Sequence, residues 1–399
     1  MATVPGSYFR KTLFWMHLSC GVTAGLLILV LSVTGVLLTY EKQLVAVAAQ
    51  SNRLSGAQAG VRLSADQIAD IARAKAPAGA RASLVFDLDP RVPVKLTLGR
   101  EGEILLDPYT GGVIPDAAAG SRSFFRTVEN WHRWLAGDPR STRANLIDIA
   151  NLLFVFIVAS GIYLWLPAVW RWRTLKGLVL FRTRYINGKL RDFSWHHVFG
   201  VWALLPLLLI CVSGVVISYP WASDLVYAAF GEKAPQRRGP DGPGEGSARS
   251  TPQPARDPDT AQSPGATRET LLAAARAQVP DWQRLTLPLT AHDGSIDIAA
   301  ELQSDAARPP RRTVTLNVAD AALLRLSPPP GAAAPQSPGQ RARVWFRFVH
   351  TGEQYGFVGQ TVAGLASLAA CFLVYTGLAL AFRRLILPVF RRQDARPGA

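Results

Sequence analysis

The chain has 399 residues, 49% hydrophobic and 18% charged, with a formal net charge of +15. The apolar residues are bunched into long runs, which argues against a string of soluble domains. Lys and Arg flank those runs and form no basic domain interleaved with aromatics. That argues against nucleic-acid binding, and the charge reads instead as membrane topology and attraction to anionic lipid.

Residues 1–13 form a short terminus carrying Arg10 and Lys11. The run 14–40 is apolar all round, without the polar stripe of a soluble helix. It is long enough for the roughly 20 residues that cross about 30 Å of hydrocarbon. AVA at 46–48 resembles a signal-peptidase site. The run before it is too long for a signal-peptide core, and Glu41 and Lys42 intervene, so a retained first transmembrane helix is expected.

A long loop follows at 41–143. In it LSADQIADIA at 63–72 reads as a helix with Ser64 as N-cap. Strands are expected at 83–87, 94–98 and 103–106, ending in the turn DPYTG at 107–111. Then come a second run at 144–167, a basic loop at 168–194 and a third run at 195–220. The segment 221–357 opens on a Pro/Gly-rich linker, about 231–266, expected to be disordered. A helix near 268–278 and strands near 286–289, 296–302 and 313–318 repeat the earlier order, before a second Pro/Gly-rich linker at about 327–340. A fourth run at 358–382 and a basic tail at 383–399 complete the chain. Each long loop is expected to hold a small α+β domain, too small to be more than marginal alone. Cys20, Cys211 and Cys371 all fall inside apolar runs and form no Cys-x-x-Cys pair, so no thiol redox centre or exported disulfide is suggested.

Orientation follows from the short segments. Arg10 and Lys11, the cluster from Arg171 to Arg191, and Arg383, Arg384, Arg391 and Arg392 all belong on the cytoplasmic side. The expected architecture is an α-helical, multi-pass protein of a bacterial inner membrane, with both termini cytoplasmic and both long loops outside.

An internal repeat organises the spans. HLSCG at 17–21 matches HHVFG at 196–200, SVTG at 32–35 matches CVSG at 211–214, and Tyr40 matches Tyr219. Ser160-Gly161 corresponds more loosely to Thr376-Gly377, with His132 and His350 upstream of each. Both copies run in the same direction, so four transmembrane helices in two parallel repeats are expected, about an axis along the membrane normal.

Five of the six histidines sit at membrane boundaries. Topology sorts them into an inner group, His17 with His196 or His197, and an outer pair, His132 with His350. Facing histidines from two helices are what a six-coordinate b-type haem needs, and bundle interiors commonly hold cofactors. Gly21 and Gly200, one turn beyond His17 and His196, leave room for a flat macrocycle. The plainer alternative is an interfacial belt, with Trp131, Trp134, Trp195 and Trp345 as its aromatics and the glycines as packing contacts. The paired placement favours ligation. His197, outside the matched pattern, reads as a supporting residue. Two histidines alone make a thin sphere for zinc. The outer pair lies either on helical extensions beyond the bilayer or on segments folded back, and its depth is left open.

At this point the chain resembles a known family. HxxxG opening the first and third runs, GIYLWLP at 161–167, HTG at 350–352 and DPYTG at 107–111 are similar to the PepSY-associated transmembrane helix family. The resemblance implies two PepSY-like domains outside the membrane, and two haems with His17, His196, His132 and His350 as axial ligands. It also implies reduction of a siderophore-bound ferric ion in the periplasm, as in the haem-containing ferric-siderophore reductases of that family. The second domain lacks the DPYTG turn, with NVAD at 317–320 in its place. No nucleotide-binding GxGxxG follows a strand, so the electron donor is expected to be a separate cytoplasmic partner or a membrane quinol. The runner-up is a membrane-anchored binding or regulatory protein without a redox cofactor. A transporter is disfavoured because the runs carry no evident intramembrane charge.

Overall fold

A computed structural model describes residues 5–54, 61–77, 80–99, 102–139, 141–167, 171–235, 265–304, 309–329, 336–388 and 390. Most of the expected linker 231–266, part of the second linker 327–340, and Arg391 and Arg392 lie outside the described residues. The helices in chain order are α1 (Pro5–Leu38), α2 (Glu41–Gln50), α3 (Ala65–Lys75), α4 (Ala119–Trp134), α5 (Thr142–Trp165), α6 (Trp172–Val179), α7 (Gly188–Ser218), α8 (Pro220–Ala228), α9 (Arg268–Gln278), α10 (Pro338–His350) and α11 (Gly356–Leu385). The strands are β1 (Ser83–Asp87), β2 (Val94–Thr97), β3 (Glu103–Leu106), β4 (Val113–Ile114), β5 (Trp282–Pro288), β6 (Ser295–Leu302), β7 (Arg311–Asn317) and β8 (Leu323–Leu326). They divide between a helical unit (1–42, 122–235, 336–399) and a sheet unit (43–121, 236–335).

In the helical unit α1, α5, α7 and α11 are each long and apolar enough to cross a membrane. Their outward faces carry large apolar side chains in the open, among them Leu26, Leu205 and Val358 at about 70% exposure. A surface of that kind suits lipid and not water. α1 packs on α5 and α11, and α7 packs on the same two helices, so α1 and α7 stand on one diagonal of the bundle. Between them lies a plug of Ala24, Ile28, Phe154, Val158, Ala203, Leu207, Cys211, Ala366, Ala369 and Ala370. The alanines let the backbones approach closely where no hydrophobic effect drives helices together.

One acidic residue falls inside an expected span, and another lies just before one. Asp148 lies in the second turn of α5, and Asp192 is fully buried in α7, which starts at Gly188. Asp192 is neutralised by Arg383 of α11 and by Arg191 at 2.9 Å. A buried carboxylate persists only with such partners.

The sheet unit also departs from expectation. The strands form one antiparallel sheet in the order β4-β3-β2-β1-β5-β6-β7-β8 and not two separate domains. The halves join through β1 and β5, with Leu84 opposite Leu287 and Phe86 opposite Leu285. Two reasons account for the fusion. Separately, β1 and β5 would each be an open edge. Joined, they share one core, in which Ala69 and Ala72 of α3 and Leu272 and Ala275 of α9 meet Leu84, Leu96, Leu285, Leu287, Ile298 and Leu316. The two helix starts also cap each other. Asp66 accepts from the Arg268 backbone at 2.7 Å, and Glu269 accepts from the Ala65 backbone at 2.9 Å. Both carboxylates thereby sit at positive helix ends.

The missing DPYTG turn is present in geometry. Asp107 Oδ1 accepts from Tyr109 N and the Asp107 carbonyl from Gly111 N. In the second half Asn317 Oδ1 accepts from Ala319 N and the Asn317 carbonyl from Ala321 N. Ala321 takes φ 57° where Gly111 takes φ 71°.

Candidate functional site: four histidines held by hydroxyls

Each of four histidines is held by a hydroxyl on a different helix. His17 Nδ1 meets Ser160 Oγ of α5 at 2.9 Å, and His196 Nδ1 meets Thr376 Oγ1 of α11 at 3.0 Å. His132 Nδ1 on α4 meets Thr34 Oγ1 of α1 at 2.8 Å, and His350 Nδ1 on α10 meets Ser213 Oγ of α7 at 3.1 Å. Every one of these hydroxyls donates its own proton along its own helix. Ser160 donates to the Ile157 carbonyl (3.1 Å), Thr376 to Phe372 (2.7 Å), Thr34 to Val30 (2.6 Å) and Ser213 to Ile210 (2.8 Å).

A hydroxyl has one proton to give and two lone pairs to offer. With the proton committed, it can only accept from the imidazole, so Nδ1 carries the hydrogen in all four rings. His350 Nδ1 also lies 3.0 Å from the Ile210 carbonyl, a pure acceptor, which demands the same tautomer. Nε2 is therefore left with a bare lone pair, the form of imidazole that binds a metal. None of the four Nε2 atoms has a hydrogen-bond partner among the described residues, and all four rings are half-buried.

The residue after each hydroxyl is glycine. A Cβ would stand 3.6 Å from His17 Cε1 at Gly161, 3.3 Å from His196 Cε1 at Gly377 and 3.8 Å from His132 Cε1 at Gly35. At Gly214 it would press on the Asn151 amide at 2.8 Å. Only at Gly377 would the added carbon crowd the imidazole, so there the glycine lets the His196 ring lie against α11. The hydroxyls of Thr34, Ser160, Ser213 and Thr376 received no role from the sequence. Their signal was the Ser/Thr-Gly pair present in all four spans.

The inner histidines lie on the diagonal helices α1 and α7, and His17 is within electrostatic reach of His196. Beyond them, a Cβ on Gly21 would meet nothing within 4 Å, and one on Gly200 only Leu373 Cδ2 at 3.8 Å. His197 is placed differently. Its Nδ1 bonds the Phe193 carbonyl one turn back at 2.9 Å, and its ring rests on Phe193 with centroids 4.1 Å apart. It makes no bond to a hydroxyl of another helix. His292 lies in the sheet unit, in an isolated bridge with Ser295.

The outer histidines sit on segments folded back beside the bundle. α4 ends at Trp134, and the chain reverses through Leu135 and Ala136, both with positive φ, before Ser141 caps α5. α10 ends at His350, and Gly352 (φ 75°) packs directly on the Gly359 carbonyl at the start of α11. The returning histidines reach Thr34 and Ser213. Each hydroxyl lies seventeen residues along its helix from His17 or His196, a rise of about 25 Å. The His132 and His350 ring centroids are 6.2 Å apart. Burial pushes His132 down to about 3, with the neighbouring His350 adding to the effect, and burial lowers His350 too. Both are neutral near pH 7.

The family model described as the PepSY-associated TM region matches residues 14–384. The chain belongs to that family. No curated protein matches it. For this PepSY-associated TM protein the donor set can be tested against a haem. Two imidazoles on one metal each hold it at about 2 Å, which sets their centroids roughly 6 Å apart, and the outer pair stands at that separation. All four tautomers present Nε2, and Gly21 leaves open space beside its helix. Among the described residues no group of three or more His, Cys, Asp or Glu side chains is placed to hold a bare metal ion. The separation of the outer pair fits a group gripped from two sides.

Proposed function

We propose that this chain is a di-haem protein of a bacterial inner membrane that carries electrons outward to reduce ferric iron, bound to a siderophore, in the periplasm. His17 and His196 would hold the inner haem, and His132 and His350 the outer. The observation that carries the reading is that each of four imidazoles meets a helix-bound hydroxyl at Nδ1, from which the shared tautomer follows. Four separate hydroxyls fix four imidazoles with Nδ1 protonated and Nε2 free. Haem supplies reversible one-electron chemistry when bound. The chain's own residues do the rest. The hydroxyls orient the rings and raise their basicity, as outer partners of metal-bound histidines do. The plug around Ile28, Phe154 and Leu207 keeps water out of the space between the two pairs.

Two further observations support the orientation. The pairing of β1 with β5 requires both long segments to lie on one side, as two crossings by α5 and α7 allow. The stretch between those helices carries Arg171, Arg182, Arg184 and Lys189, in keeping with a cytoplasmic position. The repeated placement of His, Ser/Thr and Gly supports descent of the helical unit from a duplicated two-helix element.

The test is an absorption spectrum of the purified protein, oxidised and then reduced with dithionite. A b-type spectrum is expected, falling stepwise in His17→Ala and His350→Ala. A protein that stays colourless when supplied with haem would leave only an anchored scaffold.

A further inference from the structure

A groove of about 430 Å³ lies between α7 and α11, lined by Arg191, Trp195, Leu368, Cys371, Phe372 and Tyr375. That size is ordinary for a small-molecule site, about 300–1,000 Å³. Its floor is aromatic. Phe372 stacks on Phe199 with centroids 4.7 Å apart and planes 5° from parallel, and Trp195 meets both rings edge-on. At one end two polar groups converge: Arg191 Nη2 lies 3.4 Å from the Tyr375 hydroxyl. The rest is apolar and opens toward the bundle's outer face, where Leu368 is 43% and Tyr375 52% exposed. Trp195 directly precedes His196, and Tyr375 directly precedes Thr376, the hydroxyl that holds it.

We infer that this groove binds the head group of a membrane quinol, which serves as the electron donor; the inference rests on the redox reading above and assigns its input. Two features match a quinol and not an acyl chain alone, and a third suits its route of entry. A flat ring finds a flat aromatic wall. A ring oxygen finds a guanidinium and a phenol side by side at one end, the guanidinium held there by Asp192. The groove is entered from the lipid, where such a molecule is dissolved. The step balances as follows. One quinol loses two electrons and two protons and becomes the quinone. The electrons would leave singly by way of the haem that His17 and His196 would hold, and two ferric ions outside would become ferrous. The protons go to water at the Arg191 end.

The experiment uses the full-length protein in lipid nanodiscs and a photoreactive azidoquinone, with labelled peptides identified by mass spectrometry. Label is expected on the α7 and α11 peptides containing Trp195 and Tyr375, displaced by excess short-chain quinone. Leu368→Trp, which fills the groove, is expected to weaken this labelling at least about tenfold with the haem spectrum intact. Label elsewhere, label unaffected by Leu368→Trp, or label displaced equally well by phosphatidylglycerol would overturn the proposal. Tyr375→Phe gives a second, gentler check, with weaker labelling expected and unchanged labelling counting against the site. Labelling is read independently of colour. A colourless protein that labels at the groove refutes the haem reading alone, and a haem-loaded protein that does not label refutes the quinol site alone.

Discussion

Replacing Thr34 by Val tests the hydroxyl grip on His132 with little change of volume. The native hydroxyl accepts from Nδ1 at 2.8 Å and donates to the Val30 carbonyl at 2.6 Å. Valine removes the acceptor while the imidazole stays crowded by protein. A buried N–H left without a partner costs about 1–3 kcal/mol. The Val30 carbonyl keeps its helical partner, so the loss falls on the histidine. Once the ring can turn, Nδ1–H is no longer fixed, and the orientation of Nε2 is lost with it. Loss of an outer partner of a metal-bound histidine lowers affinity about 10–100-fold, equivalent to about 1.4–2.7 kcal/mol and within the same range. The assay is transfer of haem from the purified variant to apomyoglobin, followed by absorption. One of two kinetic phases should accelerate by that factor, with the phase assigned to His17 and His196 unchanged. Thr34→Ser should restore the native rate. If Thr34→Val releases haem at the native rate, the hydroxyl does not position the ligand.

Three more outcomes follow from the geometry. The outer histidines have folded-state values below the ordinary 6.5, so the unfolded chain binds more protons, and their contribution to stability is complete above about 6.5 and lost as pH falls below it, for His132 down to about 3. Thermal unfolding of the haem-free protein in detergent should show a midpoint that falls across that window, less so in His132→Phe. Gly352→Ala would set a Cβ against the Gly359 carbonyl at a residue with φ 75°; it should lower the midpoint and leave one haem per chain, by pyridine haemochrome assay. Asp192→Ala would leave Arg383 and Arg191 without their buried carboxylate. Both arginines retain some access to water, so the loss should fall near the lower end of the about 3–5 kcal/mol seen when a buried pair is broken, measured by unfolding in mixed micelles.

Much of this was legible from the order of residues. The apolar runs located α1, α5, α7 and α11 because a membrane leaves few other ways to satisfy a backbone. Ser64 marked the start of α3, and both ends of β1 and α9 fell where alternation and turn residues put them. The short edge strands β4 and β8 were missed, since two to four residues carry almost no periodicity. The joining of β1 to β5 was also invisible, because it links residues some 200 positions apart and depends on a shared core. At the site, the histidines stood out by type and position. The depth of His132 and His350 did not, because it is set by backbone reversals at Leu135–Ala136 and at Gly352. Asp192 was assigned to a loop because its neutralising partner, Arg383, arrives from the far end of the chain.

The seam between β1 and β5 bears on how the protein is made. Asp87 leaves the ribosome almost 200 residues before Arg284, its partner across the seam. At about 5–20 residues per second, the first half-sheet waits roughly 10–40 s with one flank bare while two more helices are threaded into the bilayer. During that interval the bare flank of β1 is a ready template for any extended segment nearby.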